Sequence, residues 1–304
     1  MSNEAPTTEL PCERTDSCDE IKQLLFPKDK DLGDFIVRRA LPSAFLKKVG
    51  PWVFFDHMGP AQFDANNGLN VRPHPHIGIA TVTYLFEGEI LHRDSLGTEQ
   101  TINPGDINLM VAGKGIVHSE RERPAVLNQD RTLHALQLWL ALPEDDEDTE
   151  PMFYHYESQT IPVVKQDDVT VRVMMGSAYG ATSPVKCYYD TLYLEAAIPE
   201  GHTLVLPEAD EKAVYVLDGE LTLGGETLPR FAFAVLPGDS ECPLQAVKDS
   251  RIAVVGGEAI SHRYIEWNFV SSDKEKIARA KRDWQDQQFD KVPGDEEEFI
   301  PLPK

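Results

Sequence analysis

Two short motifs constrain the fold of this chain more than any other feature of its sequence. The first holds His74 and His76, and the second, which begins 42 residues after His76, holds His118 and Glu120. In each motif a single residue separates two potential ligands, so on a β-strand both side chains project from the same face. An antiparallel sheet that joins the motifs would bring three imidazoles and one carboxylate together. We therefore predict a metal site within residues 71–120.

The apolar pattern around the two motifs indicates β-strands. From residue 34 onward, short runs of Val, Ile, Phe, Tyr and Trp are interrupted by Gly, Pro and turn sequences, as in IATVTYLFEGEILHRDS and NPGDINLMVA. Short strands with frequent turn signals favour an all-β sandwich or barrel. Pro75 lies between the first two histidines and has no amide hydrogen, which predicts an edge strand or a strand start at that point.

The second half of the chain repeats this pattern without the ligands. VYVLDGELTLGG parallels TYLFEGEILHRDS, and FAFAVLPGD parallels the turn at NPGD. The second copy has no H-x-H or H-x-E motif, since its histidines are the isolated His155, His202 and His262. We therefore predict two copies of one β architecture, with metal bound in the first copy only.

An acidic run and a helical segment divide the rest of the chain. The run EDDEDTE at residues 144–150 lacks the alternation of a calcium loop, so we interpret it as a solvated loop between domains. The predicted organisation is a flexible or draped N-terminal arm over residues 1–30, a metal-binding domain over 31–143, an acidic linker over 144–152, a domain without metal over 153–262, and a helix with an acidic surface tail over 263–304.

Residues 271–289 are the one segment with clear helical periodicity. Ser272 followed by Glu275 predicts a capping box, in which each residue satisfies a backbone amide of the first turn. Ile277, Ala280 and Trp284 share one face. That face predicts a helix packed on the body of the protein, and a helix that docks a partner is the alternative.

The net charge restricts the partners of the chain. Its 304 residues include 29 Lys and Arg against 51 Asp and Glu, which gives a net charge of −22. Such a surface repels phosphate backbones and anionic lipids, so direct binding to nucleic acid or membrane is disfavoured. The sequence has no apolar run of membrane-spanning length and no signal-peptide pattern at its start. We expect a cytoplasmic protein that binds small molecules or a basic or neutral protein partner.

The predicted ligand set selects a class of metal. Three neutral imidazoles and one carboxylate suit a divalent first-row transition metal and are too rich in nitrogen for magnesium or calcium. Four protein ligands leave two positions of an octahedral ion open for substrate, oxygen or water. Iron(II) fits these open positions best, and nickel, copper, zinc and manganese remain alternatives. The open positions argue against a metal that only braces the barrel.

Three longer stretches carry a resemblance to known proteins. RPHPHIGIATVTYLFEGE, NPGDINLMVAGKGIVHSE and LHALQLWLAL resemble the pirin family of the cupin superfamily, and the resemblance extends over about residues 34–262. It implies an all-β fold of two tandem cupin, jelly-roll-like β-barrel domains, with metal in the N-terminal barrel only. A typical cupin has a glutamate three or four residues after H-x-H, where this chain has Ile79 and Ala80. By the resemblance the iron ligands are His74, His76, His118 and Glu120.

The resemblance implies two functions. Some pirin-like proteins open the heterocycle of the flavonol quercetin with molecular oxygen and release carbon monoxide, and in such a reaction Glu120 would act as general base on the substrate's 3-hydroxyl. We therefore expect a dioxygenase of the quercetin 2,3-dioxygenase type that acts on a flavonol or a similar enol or phenol. The alternative is a non-catalytic, iron- and redox-sensing regulator that binds a transcription factor or a metabolic enzyme.

Three further side chains are candidates for the surroundings of the site. Asp56, His57 and Lys114 are predicted at the pocket mouth or in contact with the back of the ligands, and the alternatives are that Asp56 caps a turn and His57 lies on the surface. Five aromatic residues are predicted to belong to the core rather than to a binding platform: Phe54, Phe55, Tyr84, Phe86 and Trp139.

Overall fold

The computed structural model describes residues 20–31, 36–65 and 67–303, which are mainly β-strands. The first twelve strands are β1 Gln23–Leu25, β2 Lys28–Asp31, β3 Ile36–Leu41, β4 Trp52–Phe63, β5 Val71–His76, β6 Ile79–Glu87, β7 Ile90–Asp94, β8 Glu99–Ile102, β9 Ile107–Val111, β10 Ile116–Arg121, β11 Arg131–Ala141 and β12 Met152–Tyr156. The next seven are β13 Val163–Gln166, β14 Val169–Met175, β15 Ser177–Ala178, β16 Ala181–Thr182, β17 Thr191–Ile198, β18 Thr203–Leu204 and β19 Glu211–Asp218. The last seven are β20 Glu220–Leu223, β21 Glu226–Pro229, β22 Phe233–Leu236, β23 Leu244–Ala246, β24 Ser250–Gly257, β25 Tyr264–Glu266 and β26 Phe269–Ser271. The α-helices are α1 Pro124–Leu127 and α2 Lys274–Gln285, and short 3-10 helices cover Glu144–Asp146 and Ser158–Thr160.

The strands form two barrels of the same design. The first barrel combines a seven-stranded sheet, in the order β12-β9-β6-β11-β4-β3-β2, with a four-stranded sheet, β5-β10-β7-β8. The second combines β1-β22-β19-β24-β17-β14-β13 with β18-β23-β20-β21. The repeated strand order confirms the predicted all-β fold of two tandem barrels with a C-terminal helix.

Strand pairing crosses the predicted domain boundaries at two places. Strand β1 pairs with β22 of the second barrel, and β12, which follows the acidic run, pairs with β9 of the first barrel. Strand β2 pairs with β3. Residues 20–30 of the predicted arm are therefore draped over the barrels, and residues 1–19 lie outside the described part of the chain. The domain limits themselves stay predictions.

Alternate residues of β11 face different cores. Leu136, Leu138 and Leu140 belong to a cluster that includes residues of both barrels, whereas Ala135 and Trp139 belong to clusters that contain no strand of the second barrel. This alternation is the two-residue period of a strand that is buried on both faces. The outer faces of the seven-stranded sheets therefore pack on each other, and the inner faces line the two barrels.

The predicted aromatic core is confirmed, with one residue at its margin. Phe54, Phe55, Tyr84 and Trp139 are buried, and Phe86 is partly buried against the cluster between the barrels. Trp52 also joins the barrels, because its indole Nε1 donates hydrogen bonds to the carbonyls of Leu192, at 3.2 Å, and Gly256, at 3.0 Å. These aromatic side chains thus pack within the first barrel or between the two barrels.

Helix α2 packs on the body through the predicted face, but its N-cap differs from the prediction. Ile277, Ala280 and Trp284 are buried, as expected. The N-cap is Asp273, whose carboxylate accepts the amide of Glu275 at 2.8 Å. The predicted capping box at Ser272 is wrong. In the described ranges, no helix is long and apolar enough to cross a membrane.

Glu147 explains why Ser272 does not cap the helix. The backbone amide and the hydroxyl of Ser272 both donate to the Glu147 carboxylate, at 2.7 and 3.2 Å. Ser271 donates to the same carboxylate at 2.7 Å, and Arg263 forms an ion pair with it at 3.2 Å. Glu147 is 2% exposed. The interpretation of the whole acidic run as a solvated loop is therefore wrong at this residue, which anchors the start of α2.

The acidic C-terminal tail returns to the first barrel. Val292 is buried in the cluster around α2, and the amide of Ile300 donates to the carbonyl of Pro73 on β5 at 2.9 Å. Arg121 on β10 forms a bidentate pair with Asp295, at 2.8 and 2.9 Å. The predicted surface tail thus covers the outer side of the strands that carry the candidate ligands, including the edge strand β5.

Candidate metal centre

The two predicted motifs lie on neighbouring antiparallel strands. Strands β5 and β10 pair with His118 opposite His74 and Ile116 opposite His76. β5 is the edge strand of the four-stranded sheet, as the position of Pro75 predicts. The sheet register therefore brings the two motifs to the same place on the wall of the first barrel.

Three imidazoles converge inside the barrel. One ring nitrogen from each of His74, His76 and His118 lies within 4.8 Å of the others. The ring centroids are 4.3 Å apart for His74 and His118 and 5.1 Å apart for the other two pairs. All three side chains are at most 1% exposed. Among the described residues, no other three His, Cys, Asp or Glu side chains form such a group.

The hydrogen bonds of the group leave lone pairs for a metal. Nδ1 of His74 lies 2.8 Å from the carbonyl oxygen of Arg72, and Nδ1 of His76 lies 3.1 Å from that of Asn268. A carbonyl oxygen only accepts, so each Nδ1 carries the proton and each Nε2 keeps its lone pair. Within the described part of the chain, Nε2 of both residues and both ring nitrogens of His118 have no hydrogen-bond partner. Buried polar atoms seldom lack a partner, so these side chains fit a bound metal ion.

Burial also sets the protonation state of the group. It holds the pKa of His74, His76 and His118 well below the ordinary value of 6.5, and the neighbouring imidazoles lower the pKa of His74 and His118 further. The rings are therefore neutral at neutral pH, which is the form that coordinates a metal.

Glu120 lies beside this group without belonging to it. It follows His118 by two residues on β10, is 1% exposed and is opposite His92 on β7. The pairing with β5 shifts between His118 and Glu120, so that Glu120 is opposite Val71. Its carboxylate is not among the atoms that all lie within 4.8 Å of one another. The structure thus brings three of the four predicted ligands together, and the roles of Glu120 as ligand and general base stay predictions.

His92 is a neighbour of the site that the two-motif prediction misses. Its ring centroid lies 5.3 Å from that of His118 and 4.5 Å from that of Phe153, on which it stacks. Its Nε2 lies 3.0 Å from the carboxylate of Asp94, which also accepts the amides of two turn residues. His92 and Asp94 have the same alternate spacing as the ligand motifs, so the sequence did contain a signal for them.

Other neighbours of the site come from distant parts of the chain. Asn268, which supplies a carbonyl to His76, is 192 residues away in sequence. The ring of Trp139 on β11 lies 4.9 Å from that of His76 and stacks on Phe54 at 3.9 Å. No local sequence pattern identifies such contacts, since they depend on how the whole barrel closes.

The three further candidates have different fates. Asp56 is buried and accepts two hydrogen bonds from Arg39, both at 2.7 Å, so it does not cap a turn. His57 is buried rather than at the surface, and its Nδ1 lies 3.0 Å from the hydroxyl of Tyr215 in the second barrel. Lys114 is exposed in the turn between β9 and β10, where it pairs with Glu150 at 2.5 Å. None of the three belongs to the imidazole group.

Comparison with known proteins agrees with this architecture. Residues 34–140 match the family model Pirin, and residues 193–290 match the Pirin C-terminal cupin domain. A pirin-like protein of Caulobacter vibrioides is 41% identical over 90% of this chain and 96% of its own length, and human pirin is 31% identical over 82% and 86%. The crystal structure of quercetin 2,3-dioxygenase from Acinetobacter baumannii has a TM-score of 0.86 at 32% identity, over 93% of this chain and 95% of that one. This chain therefore belongs to the pirin family, whose members consist of two cupin domains.

Proposed function

We propose that this protein is a metal-dependent dioxygenase of the quercetin 2,3-dioxygenase type, which acts on a flavonol or a similar enol or phenol. The observation that carries the proposal is the convergence of three buried, neutral imidazoles whose lone pairs have no hydrogen-bond partner in residues 20–31, 36–65 and 67–303. Similarity over nearly the whole chain to a solved quercetin 2,3-dioxygenase supports the choice of reaction.

The metal would be held by His74, His76 and His118, with Glu120 as the fourth ligand. Iron(II) is the proposed ion, and nickel, copper, zinc and manganese are the alternatives that metal analysis separates. When bound, the ion would act as a Lewis acid toward a substrate hydroxyl and offer a position to molecular oxygen.

The residues around this point supply the remaining chemistry. Glu120 is buried two residues beyond His118, and as general base it would accept the proton of the substrate's 3-hydroxyl. The stacked rings of Trp139 and Phe54 form a rigid apolar wall beside His76. Burial of the ligands excludes bulk water, which strengthens the interaction of Glu120 with the transferred proton.

Oxygen uptake tests the reaction. Protein loaded with iron(II) under anaerobic conditions is mixed with quercetin and oxygen, and we expect oxygen consumption together with loss of the flavonol absorbance. Glu120→Gln should lower the rate by about 100-fold or more while most of the metal is retained, because it removes the base but keeps the side-chain shape. Absence of turnover with every flavonol tried, at full metal occupancy, would contradict the proposal.

The net charge of −22 favours a second proposal, a regulator that docks on a basic protein partner. In this role the metal centre senses iron and redox state, and no substrate is turned over. Pull-down experiments with the iron(II) and iron(III) forms should then recover a partner with only one of them. Equal recovery with metal-free protein would contradict a role for the metal in docking.

A further inference from the structure

The interior of the first barrel consists of three layers. One end is apolar and combines residues of both sheets: Val37, Met58, Leu85 and Ala135 with Val71 and Ile90. The other end is apolar as well: Phe54, Ile79, Met110 and Trp139 with Ile116. On the four-stranded sheet, His74 and His118 lie between Val71 and Ile116, and so between these two ends. The candidate metal ligands therefore belong to a polar middle layer.

A row of polar residues crosses the opposite sheet in this layer. Six side chains on six neighbouring strands are consecutive cross-strand partners: His155, Asn108, Thr83, Gln137, Asp56 and Arg39. All except His155 are at most 5% exposed. Buried polar groups are costly, so a continuous row of them in a barrel interior calls for a reason.

The second barrel shows that the fold itself does not need this row. Its seven-stranded sheet has the same strand order, and a row of six cross-strand partners there is entirely apolar: Leu24, Ala234, Val214, Val254, Leu194 and Val173. These residues are all part of the core of that barrel. The polar row therefore occurs in the barrel that has the candidate metal ligands, and the barrel architecture does not require it.

The hydrogen bonds of the row fix two amide groups and leave their donors unused. The hydroxyl of Thr83 donates to Oε1 of Gln137 at 2.8 Å, and Nδ1 of His155 lies 2.6 Å from Oδ1 of Asn108, to which it donates. Each amide oxygen is thus engaged, which fixes the orientation of the amide. The amide nitrogens, Nε2 of Gln137 and Nδ2 of Asn108, have no hydrogen-bond partner among the described residues.

Beyond Gln137, the row ends in two charged residues that bind each other. Arg39 and Asp56 form a buried bidentate pair, with both distances at 2.7 Å. The pair is neutral as a whole, so it does not attract a charged ligand strongly. The amide N–H groups of Asn108 and Gln137 are therefore the donors of this wall that a ligand can use.

Gln137 lies within reach of a ligand at the metal. It precedes Trp139 by two residues on the same face of β11, and the ring of Trp139 contacts that of His76 at 4.9 Å. Two residues along a strand span roughly 7 Å. Asn108 lies in the same row, two strands away from Gln137 across β6. A planar molecule of two or three fused or linked rings spans such distances.

We propose that Asn108 and Gln137 bind the substrate, by donating their amide N–H groups to two acceptor oxygens of a planar ligand whose hydroxyl lies at the metal centre. The inference rests on the proposed function for the position of that hydroxyl, and it adds the substrate class. The ligand carries carbonyl or ionised hydroxyl oxygens away from the metal. A hydrocarbon or a cationic amine does not satisfy the two amides.

Quercetin binding without oxygen tests this inference. Quercetin is titrated anaerobically into iron-loaded protein, and affinity is measured by calorimetry. Asn108→Leu and Gln137→Met keep side-chain volume but remove the donors, and each should weaken binding about tenfold. Metal content should stay near the wild-type value, because neither amide belongs to the imidazole group. The thermal midpoint should fall modestly, since each substitution also removes an amide oxygen that accepts a hydrogen bond from Thr83 or His155.

Gln62→Met is the matched control. Gln62 also faces a threonine across β4 and β11, with Nε2 donating to Thr132 at 2.8 Å, but at the exposed end of the sheet. This variant should bind quercetin like the wild type. 3-Hydroxyflavone keeps the 3-hydroxyl and its adjacent carbonyl but lacks the hydroxyls that lie far from them. It should bind wild-type protein about tenfold more weakly than quercetin, and this comparison does not depend on the folding of any variant.

Three results would overturn the inference. They are wild-type protein that does not bind quercetin, amide variants and 3-hydroxyflavone that show no loss of affinity, and variants that lose metal together with binding. Because oxygen is absent, the two proposals fail separately. Protein that binds quercetin through these amides but never consumes oxygen would remove the proposed reaction and leave the substrate site standing.

Discussion

At the scale of single residues, the state of each buried imidazole follows from what surrounds it. His57 and His134 lie between the barrels, with their Nε2 atoms 2.8 Å apart. Burial, together with the charge of nearby arginines and, for His57, the neighbouring His134, lowers the pKa of His57 to about 2 and that of His134 to about 4. Neither residue is protonated in the folded protein at the pH values where an unfolded histidine takes up a proton.

This pair predicts how stability depends on pH. Since the unfolded state binds protons below pH 6.5 and the folded state does not, the free energy of unfolding should fall as the pH drops from 6.5 toward 4. His134→Gln removes one of these protons, so its stability should fall less steeply, by roughly 1.4 kcal/mol per pH unit. Urea unfolding at several pH values measures the two slopes.

His202→Gln is the control for this slope. His202 is exposed and pairs with Asp168 at 3.0 Å, and hydrogen bonds to Glu200 and Asp168 raise its pKa. Its contribution is therefore present below pH 6.5 and is lost as the pH rises through the folded-state pKa, which is the opposite sign. Parallel curves for wild type and His134→Gln would contradict a neutral, partly buried His134 in the folded protein.

Residue types and spacing were enough to predict the three histidines of the imidazole group. They were not enough to predict the side chains that surround this group. His74, His76 and His118 follow from the two-residue period of a strand. The polar row through Asn108 and Gln137 requires the register of six strands, which no local pattern contains.

At the scale of elements, the segment around β26 braces the ligand strand. Val270 donates its amide to the carbonyl of Ile77 at 3.3 Å, and Asn268 supplies its carbonyl to His76. Gly78 makes this approach possible, because its φ is +68° and a Cβ atom there would lie 2.0 Å from the carbonyl oxygen of Val270. A side chain at this position therefore meets both strain and a clash.

Gly78→Ala should consequently weaken both the fold and the metal site. Gly97→Ala is the matched control, since Gly97 has a φ of +86° with no atom within 4 Å of a Cβ. The free energy of unfolding of the control should fall only by the cost of the left-handed conformation, about 1–2 kcal/mol, and its metal affinity should not change. Gly78→Ala should lose more stability and bind metal more weakly in a competition titration. Equal behaviour of the two variants would contradict the bracing role.

The helix shows where element-level prediction succeeds and where it stops. The apolar face of α2 is readable from periodicity, and Ile277, Ala280 and Trp284 are buried as expected. The N-cap cannot be predicted from the local sequence. Glu147, a buried residue 125 positions away, accepts hydrogen bonds from Ser272 and leaves the capping position to Asp273.

At the scale of the whole molecule, a hydrophobic cluster between the two barrels joins them. The cluster between them contains residues of both seven-stranded sheets, and β1 and β12 add to sheets beyond the predicted boundaries. The repeat of the two barrels is visible in the sequence. The exchange of edge strands is not, because β1 pairs with a strand about 210 residues later in the chain, a separation at which sequence patterns do not specify a partner.

A shared core predicts a single cooperative unfolding transition. Trp52→Phe removes an indole N–H that has two carbonyl acceptors in the second barrel, whereas Trp267→Phe removes a buried N–H that has no partner among the residues that the structure describes. Trp52→Phe should cost about 1–2 kcal/mol more than Trp267→Phe, and both variants should unfold in one step. Two separate transitions in wild-type protein by calorimetry would show that the barrels are independent.

The metal stoichiometry of the purified protein shows directly whether the first barrel holds a single metal centre. Elemental analysis after loading with iron(II) and gel filtration should give about one ion per chain in wild type, because one group of three imidazoles is available in the described part of the chain. His118→Ala should lose most of this metal, and His202→Ala in the second barrel should keep it. Full metal content in His118→Ala, or a second tightly held ion in wild type, would contradict a single metal centre in the first barrel.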